Sequence, residues 1–259
     1  MDDTAALNAV VSELAPECVF HLASALHTAE PQELFRTNVE GTLALLNALE
    51  GHDALVVHGS SASVYGEAEQ LPIREDHPCV PTNLYGLSKR TAEAVVAIKR
   101  TRYVVARIFN IVGPGQTDEH VCGRFARDLV SLNGNSVLRV GPLSATRDFI
   151  DVRDVASALL ALVSAGEHGH AYNVASGVEV SIREMLKLLA HASGSDARIE
   201  ESRRQARGVS RNVADISRIQ KLGWAPRYSL GQSLSDLMAY QRQCTRPERD
   251  DVPRKFSSI

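Results

Sequence analysis

In the first half of the chain, short runs of apolar residues alternate with longer segments whose apolar residues recur every three or four positions. The short runs predict buried strands over 18–22 (CVFHL), 54–58 (ALVVH) and 103–109 (YVVARIF). The longer segments predict helices over 4–14, 38–50 and 84–100. Apolar strands separated by helices indicate an α/β fold with a doubly wound parallel sheet that carries helices on both faces.

After Gly113 the pattern changes, and helices outnumber strands. Helices are predicted over 121–132, 151–164, 181–192, 215–222 and 230–241, and short strands over 137–140 and 171–174. Ser181 followed by Glu184 forms a capping box, which marks the start of one of these helices. The segment 244–259 is polar and rich in charge, so we expect a disordered tail there.

Composition narrows the class of protein. A formal net charge of −3 disfavours a nucleic-acid partner, and the apolar runs are too short to cross a membrane. The 4 cysteines are scattered without a C-x-x-C pair, which favours reduced thiols in a cytoplasmic protein and disfavours structural zinc. His168 and His170 lie in a glycine-containing stretch that we interpret as a loop, and we expect no metal site.

The segment YGLSK at 85–89 places Tyr85 and Lys89 on one face of the predicted helix 84–100. A neighbouring positive charge favours the phenolate, so we expect Lys89 to lower the pKa of Tyr85. A tyrosine tuned in this way can act as a general acid or base. Taken alone, the Y-x-x-x-K spacing is also typical of an exposed helical pair.

The segment GSSASVYG at 59–66 follows the predicted strand 54–58. Ligands of parallel α/β sheets bind at the carboxyl ends of the strands, so Ser61 is expected close to the same reacting oxygen as Tyr85. A serine-rich turn without chemistry is the alternative. A serine hydrolase is excluded because no second glycine follows Ser61 in the way that a G-x-S-x-G elbow requires.

Together with further motifs in the same order, these segments resemble the extended short-chain dehydrogenase family, also called the NAD-dependent epimerase/dehydratase family, which acts on nucleotide sugars. The resemblance covers about residues 1–240 and includes HLAS at 21–24, NVEGT at 38–42, RIFNIVGPG at 107–115, RDFIDVRDV at 147–155, YNVA at 172–175 and LGWAP at 222–226. It implies a Rossmann-type sheet over 1–112 that carries the catalytic residues, and a smaller C-terminal lobe, mostly within 113–243, that binds the substrate.

The resemblance also implies roles for individual residues. The catalytic residues are Ser61, Tyr85 as acid/base, and Lys89, which also binds the nicotinamide ribose. The residues that line the cofactor, NAD or NADP, are Leu22, Ala23, Ser24 and Asn38 together with Tyr85 and Lys89. The residues that meet the diphosphate of the nucleotide-sugar substrate are Asn110, Arg147, and either Arg207 or Arg211, because the register there is ambiguous. Arginine suits this task since its planar fork binds phosphate oxygens in pairs. A homodimer through the helices 38–50 and 84–100 is a further implication.

The residues after Ser61 bear on the reaction. Dehydratases of this family carry Asp-Glu there, whereas this chain has Ala62 and Ser63, so a 4,6-dehydratase is disfavoured. The segments 113–116, 125–127 and 140–149 look most like reductases of GDP-4-keto-6-deoxymannose. SASVYG at 61–66 looks equally like UDP-hexose 4-epimerases. We therefore favour an NAD(P)-dependent 4-keto-6-deoxy sugar nucleotide reductase, with a UDP-hexose 4-epimerase as the alternative.

The start of the chain departs from the family pattern. The family opens with a strand and a G-x-x-G-x-x-G turn, whereas this sequence has no glycine before Gly41. We expect an N-terminally truncated sheet that lacks its first strands, about 50–60 residues, and with them the turn that binds the pyrophosphate. Strand 18–22 would then form an exposed, aggregation-prone edge. A non-catalytic remnant that binds sugar nucleotides is the alternative from a different class.

Overall fold

The computed structural model describes residues 4–132, 136–202 and 208–245. Its main sheet has four parallel strands in the order β1-β2-β3-β7. These strands are β1 (Cys18–His21), β2 (Leu55–Ser61), β3 (Tyr103–Ile108) and β7 (His170–Val174). The parallel sheet of an α/β protein, which the apolar runs predict, is confirmed.

Helices cover both faces of this sheet. On one face lie α1 (Thr4–Leu14), α2 (Pro31–Phe35), a π-helical turn (Arg36–Glu40), α3 (Gly41–Ala48) and α4 (Leu84–Lys99). Leu45, Leu46 and Val96 pack there against Val56 of β2. On the other face, Leu159 and Leu162 of α6 (Val152–Ala165) pack with Val57 and Val104. The central strands β2 and β3 are therefore buried on both faces, which explains why their apolar residues do not alternate with polar ones.

Two boundaries differ from the sequence prediction in ways that matter for the site. Strand β2 continues to Ser61, three residues beyond the predicted end, because Gly59, Ser60 and Ser61 keep their pairing with β3. The helix predicted over 38–50 is an α-helix only from Gly41 to Ala48. Asn38 lies in the π-helical turn before it, which follows α2. The hydrophobic pattern does not predict the extension of β2, because Ser and Gly are poor strand formers. It does not predict the π-helical turn either, because such a turn leaves the helical period nearly intact.

The second region combines short strands with amphipathic helices. Its strands are β4 (Asn110–Val112), β5 (Val137–Val140), β6 (Thr146–Asp151), β8 (Glu179–Ser181) and β9 (Arg198–Glu201). They form the sheets β4-β6-β8 and β5-β9. Its helices are α5 (Val121–Ser131), α7 (Ile182–Ser193) and α9 (Leu230–Thr245), whereas α8 (Ser217–Gln220) packs against β7 of the main sheet. Of these, α5, α7 and α9 share an apolar core.

The last helix is longer than the sequence predicts. Helix α9 continues to Thr245, so its end overlaps the start of the predicted tail at Cys244. Residues 246–259, the rest of that predicted tail, lie outside the described residues.

The edge strand β1 bears on the expectation of a truncated sheet. Among the residues that the structure describes, no strand pairs with the side of β1 that faces away from β2. Phe20 and Leu22 are 40% and 50% exposed at this edge. The predicted exposed apolar edge is therefore confirmed for the described residues, and its tendency to aggregate stays a prediction.

Candidate active site

The first turn of α4 is fixed against the end of β2. Asn83 caps the helix, since its side chain accepts a hydrogen bond from the Gly86 N–H at 2.8 Å. A Cβ at Gly86 would lie 2.3 Å from the Ser63 carbonyl oxygen, so only glycine permits this close approach. The contact holds Tyr85, the residue before Gly86, next to Ser61.

The predicted catalytic pair of Ser61 and Tyr85 is brought together. Burial raises the pKa of Tyr85, and hydrogen bonding with the hydroxyls of Ser61 and Ser24 opposes that rise. Ser61 Oγ also accepts a hydrogen bond of 3.1 Å from the Ser63 N–H. Because this bond uses a lone pair, the Ser61 proton stays available for an oxygen placed between Ser61 and Tyr85.

Lys89 lies one turn after Tyr85 and is 4% exposed. Its Nζ donates a hydrogen bond of 2.7 Å to the Gly59 carbonyl oxygen of β2. Burial lowers the pKa of Lys89 to about 8, while the charge of Glu93 opposes this shift. The ammonium group is therefore fixed at the carboxyl end of β2.

The expected effect of Lys89 on Tyr85 is wrong for this structure. The sequence predicts a lowered tyrosine pKa, whereas burial of the phenol raises it. Spacing along a helix gives the face on which two side chains lie, but it does not give the loss of hydration that each suffers on folding. Tyr85 is therefore a protonated phenol, which is the form that a general acid requires, and the higher pKa makes it a weaker acid than an exposed tyrosine.

Of the residues expected to line the cofactor, Asn38 is the most firmly held. Its Oδ1 accepts hydrogen bonds from the Ala25 N–H at 2.8 Å and from Ser24 Oγ at 3.1 Å. Its Nδ2 donates to Ser88 Oγ of α4 at 2.9 Å. Asn38 is 1% exposed and thus joins the loop after β1 to the helix of Tyr85. Leu22 and Ala23, at the start of that loop, are exposed.

The residues expected to meet the diphosphate lie in the second region. Asn110 follows β3, and its Nδ2 donates to the Asp148 carbonyl at 3.1 Å. Arg147 on β6 is partly buried, which lowers its pKa, and it donates to the Thr146 carbonyl at 2.6 Å. Thr146 N–H bonds the Ser210 carbonyl at 3.0 Å, so the residue before Arg147 contacts the residue before Arg211.

Arg211 is engaged in an ion pair. Its Nε and Nη2 donate to the carboxylate of Glu179 at 2.7 and 2.6 Å. This pair holds the pKa of Glu179 down at about 2. Arg207, the other candidate for the second phosphate, lies outside the described residues.

Two histidines at the site are missed by the sequence prediction. The ring of His27 stands edge-on to the ring of Tyr85, with centroids 6.4 Å apart. The ring of His120 is 5.8 Å from that of His27. Thr28 Oγ1 donates to Glu119 at 3.0 Å beside them, so the loop after β1 meets the segment before α5. No spacing in the sequence signals a contact between residues so far apart.

The described residues contain neither a candidate metal site nor a candidate membrane span. Among the described residues, no group of three or more His, Cys, Asp or Glu side chains is arranged to hold a metal ion. In the same part of the chain, no helix combines the length and apolarity needed to cross a membrane.

Comparison with known proteins gives consistent results. The profile described as "NAD dependent epimerase/dehydratase family" matches residues 1–175. The chain is 36% identical over 256 residues to a GDP-6-deoxy-D-mannose reductase of Pseudomonas aeruginosa, covering 90% of this chain and 83% of that protein. It is 30% identical over 251 residues to a UDP-glucose 4-epimerase of Mycolicibacterium smegmatis, covering 91% and 79%.

A solved structure agrees with the fold. The structure of RMD from Pseudomonas aeruginosa complexed with NADPH superimposes with a TM-score of 0.86 at 34% identity, covering 94% of this chain and 86% of that one. The profile match extends over more than half of the sequence, and it contains Ser61, Tyr85 and Lys89 at one edge of the sheet. The chain therefore belongs to the NAD-dependent epimerase/dehydratase family.

Proposed function

We propose that the chain is an NAD(P)-dependent nucleotide-sugar oxidoreductase that reduces a 4-keto-6-deoxy sugar nucleotide at C4. The observation that carries this proposal is the convergence of Ser61, Tyr85 and Lys89 at the carboxyl end of β2. Tyr85 is a protonated phenol, and reduction of a ketone requires a proton donor at the carbonyl oxygen. The 36% identity to a GDP-6-deoxy-D-mannose reductase supports the choice of substrate class.

The residues at this edge fit the nicotinamide end of the cofactor. Leu22 is 50% exposed and offers an apolar surface to a flat ring, and Lys89 is the residue that the family pattern assigns to the nicotinamide ribose. A bound NADH or NADPH supplies the hydride in this reaction.

Each catalytic side chain has a separate task. Tyr85 donates its proton to the C4 oxygen as that oxygen gains negative charge. Ser61 donates a hydrogen bond to the same oxygen, because the bond that Ser61 Oγ accepts from the Ser63 N–H does not use its proton. Lys89, held on the Gly59 carbonyl, stabilises the phenolate that remains on Tyr85.

The substrate is expected to lie between the sheet edge and the second region. We propose that most of 113–243 forms the substrate lobe, where Asn110, Arg147 and Arg211 meet the diphosphate. For Arg211 this requires release from Glu179. Four free cysteines support a cytoplasmic location. The exposed Leu43 and Leu87 on α3 and α4 support a homodimer through these helices.

Two alternatives predict different behaviour. A UDP-hexose 4-epimerase is favoured by the 30% identity to a UDP-glucose 4-epimerase. A non-catalytic protein that binds sugar nucleotides is the other alternative, from a different functional class. The first alternative predicts interconversion of UDP-sugars, and the second predicts binding without turnover.

The test begins with fluorescence titration of the chain with NADH and NADPH, with GDP- and UDP-sugars in parallel. Turnover is then followed by loss of absorbance at 340 nm with GDP-4-keto-6-deoxymannose as substrate and Tyr85→Phe as control. Oxidation of the cofactor that depends on Tyr85 supports the reductase. Interconversion of UDP-hexoses without net oxidation supports the epimerase. Binding of sugar nucleotide without cofactor contradicts both enzymes.

A further inference from the structure

A buried carboxylate, Glu93, lies directly behind the catalytic residues and has no role in the proposed reaction. It is 4% exposed. Its Oε1 accepts hydrogen bonds from Ser60 Oγ at 2.6 Å and from Arg107 Nε at 3.1 Å. Its Oε2 accepts from Arg107 Nη2 at 2.9 Å and from Arg90 Nη1 at 3.1 Å. Both carboxylate oxygens are thus fully engaged.

The partner of Glu93, Arg107, is also buried and extends the network. It is 6% exposed, and its Nη1 donates to Tyr65 Oη at 3.1 Å and to the Glu75 carbonyl at 3.0 Å. Tyr65 Oη in turn donates to Asn173 Oδ1 of β7 at 2.6 Å. The network therefore joins α4, β2, β3 and β7. A buried ion pair often adds little stability compared with apolar residues of equal volume. We therefore consider which residues the pair of Glu93 and Arg107 holds in position.

The position of Glu93 links two catalytic residues. It stands one helical turn after Lys89 on the same face of α4. Its partner Ser60 immediately precedes Ser61 on β2, and the residue before that, Gly59, accepts the hydrogen bond from Lys89. One carboxylate thus holds the helix of Lys89 against the strand of Ser61.

Glu93 is the negatively charged group that stabilises the charged form of Lys89, whereas several other titratable side chains nearby are neutral. His58 on β2 and His21 on β1 face Lys89, and burial is the main reason that the pKa of each is lowered, so both stay neutral. Arg90 and Arg107 bond to Glu93. The thiol of Cys79 lies near the same pair, and its pKa is raised by burial, so it also stays neutral. Tyr65 and Tyr85 are protonated phenols for the same reason.

We propose that Glu93 is a positioning residue of the active site, which keeps the Lys89 amine charged and holds Ser61 in register with it through Ser60. The role given to Lys89 rests on the proposed function. The effect of Glu93 on the charge of Lys89 does not, because that charge can be measured without turnover.

The main test compares the wild-type chain with Glu93→Gln. The titration midpoint of the Lys89 amine is measured by trace acetylation with acetic anhydride at a series of pH values, followed by mass spectrometry of the Lys89 peptide. We expect the midpoint to fall by about one pH unit in Glu93→Gln, because the neighbouring negative charge is lost. Lys99, at the end of the same helix, is the internal control and is expected to keep its midpoint.

A second variant addresses folding, because Glu93→Gln leaves Arg107 buried without its counter-charge. Glu93→Gln combined with Arg107→Met removes both charges, and thermal unfolding shows whether it folds. We expect the Lys89 midpoint to fall less in this double variant than in Glu93→Gln, because the repulsion from the Arg107 cation is removed together with the attraction of the carboxylate. An unchanged midpoint in either folded variant would overturn the charge-holding role, whatever the activity of the chain.

Ser60→Ala tests the register separately. This variant keeps every charge, so the Lys89 midpoint is expected to stay at its wild-type value. When turnover is measured, we expect Ser60→Ala to lower kcat several-fold and to leave KM unchanged. Glu93→Asp keeps the negative charge, so we expect it to retain the wild-type Lys89 midpoint. Wild-type kcat in Ser60→Ala would remove the register part of the proposal.

Discussion

The two ends of the proposed substrate are met by regions that hold their polar side chains in different ways. At the sheet edge, Lys89 and Asn38 are almost fully buried, and each is fixed by short hydrogen bonds to neighbouring elements. In the second region, Arg211 is exposed and pairs with the carboxylate of Glu179. The side chains proposed to carry the chemistry are thus fixed before a substrate arrives, whereas the proposed contact of Arg211 with the diphosphate requires its ion pair with Glu179 to be exchanged.

The largest expected effect is at the sheet edge. Tyr85→Phe removes the proton donor while leaving the ring in place, and we expect kcat to fall by about 10³-fold with little change in KM. Steady-state reduction of the 4-keto sugar nucleotide measures this. Tyr240→Phe, which changes an exposed tyrosine on α9, is the matched control and is expected to keep wild-type activity. Comparable losses in both variants would contradict the role of Tyr85.

The next effect concerns the second region and separates its two arginines. Arg147→Ala is expected to weaken binding of the nucleotide sugar by roughly 10- to 100-fold, because a partly buried charge-assisted contact is lost. Arg211→Ala is expected to cost less, since binding through Arg211 first breaks its pair with Glu179.

Glu179→Gln sharpens this point, because it frees Arg211 and is expected to tighten binding a few-fold by the same argument. Calorimetric titration of all three variants checks the order of affinities. If Arg211→Ala costs as much as Arg147→Ala, the ion pair does not restrain Arg211.

A pH dependence follows from the burial of Lys89. Burial lowers its pKa to about 8, so the ammonium is present below that pH and is lost as the pH rises through it. If the charged form supports Tyr85, kcat/KM falls on the alkaline side by about tenfold per pH unit above the midpoint. A profile from pH 6 to 10 tests this, and a plateau that persists to pH 10 would show that the charge of Lys89 is not needed.

The smallest effect concerns Ser24. Its hydroxyl interacts with Tyr85 and donates to Asn38 Oδ1 at 3.1 Å. Ser24→Ala removes one of the two hydroxyls that oppose the rise in the pKa of Tyr85, so the phenol is expected to titrate at higher pH. The ultraviolet absorbance of tyrosinate, corrected with Tyr85→Phe, measures this shift. A loss of kcat of only a few-fold is expected, since Ser61 remains.

The layered α/β fold and most of its helices and strands could be predicted from the sequence. Continuous apolar runs indicate strands buried on both faces, and β1, β2, β3 and β7 have this pattern. Strands β4, β6, β8 and β9 were not predicted, because they are short and contain polar residues that pair inside the second region. Motifs in a fixed order also placed Ser61, Tyr85 and Lys89 at one site, since parallel strands end at a common edge.

The electrostatic state of that site could not be predicted from the sequence, because it depends on how the chain packs. The raised pKa of Tyr85, the lowered pKa of Lys89 and the engagement of Arg211 by Glu179 depend on burial and on partners from distant parts of the chain. The same holds for Glu93. Its hydrogen bonds to Ser60 and Arg107 could not be predicted from the spacing of these residues in the sequence. Local pattern fixes which face of an element a side chain occupies, whereas solvation and charge are properties of the packed molecule.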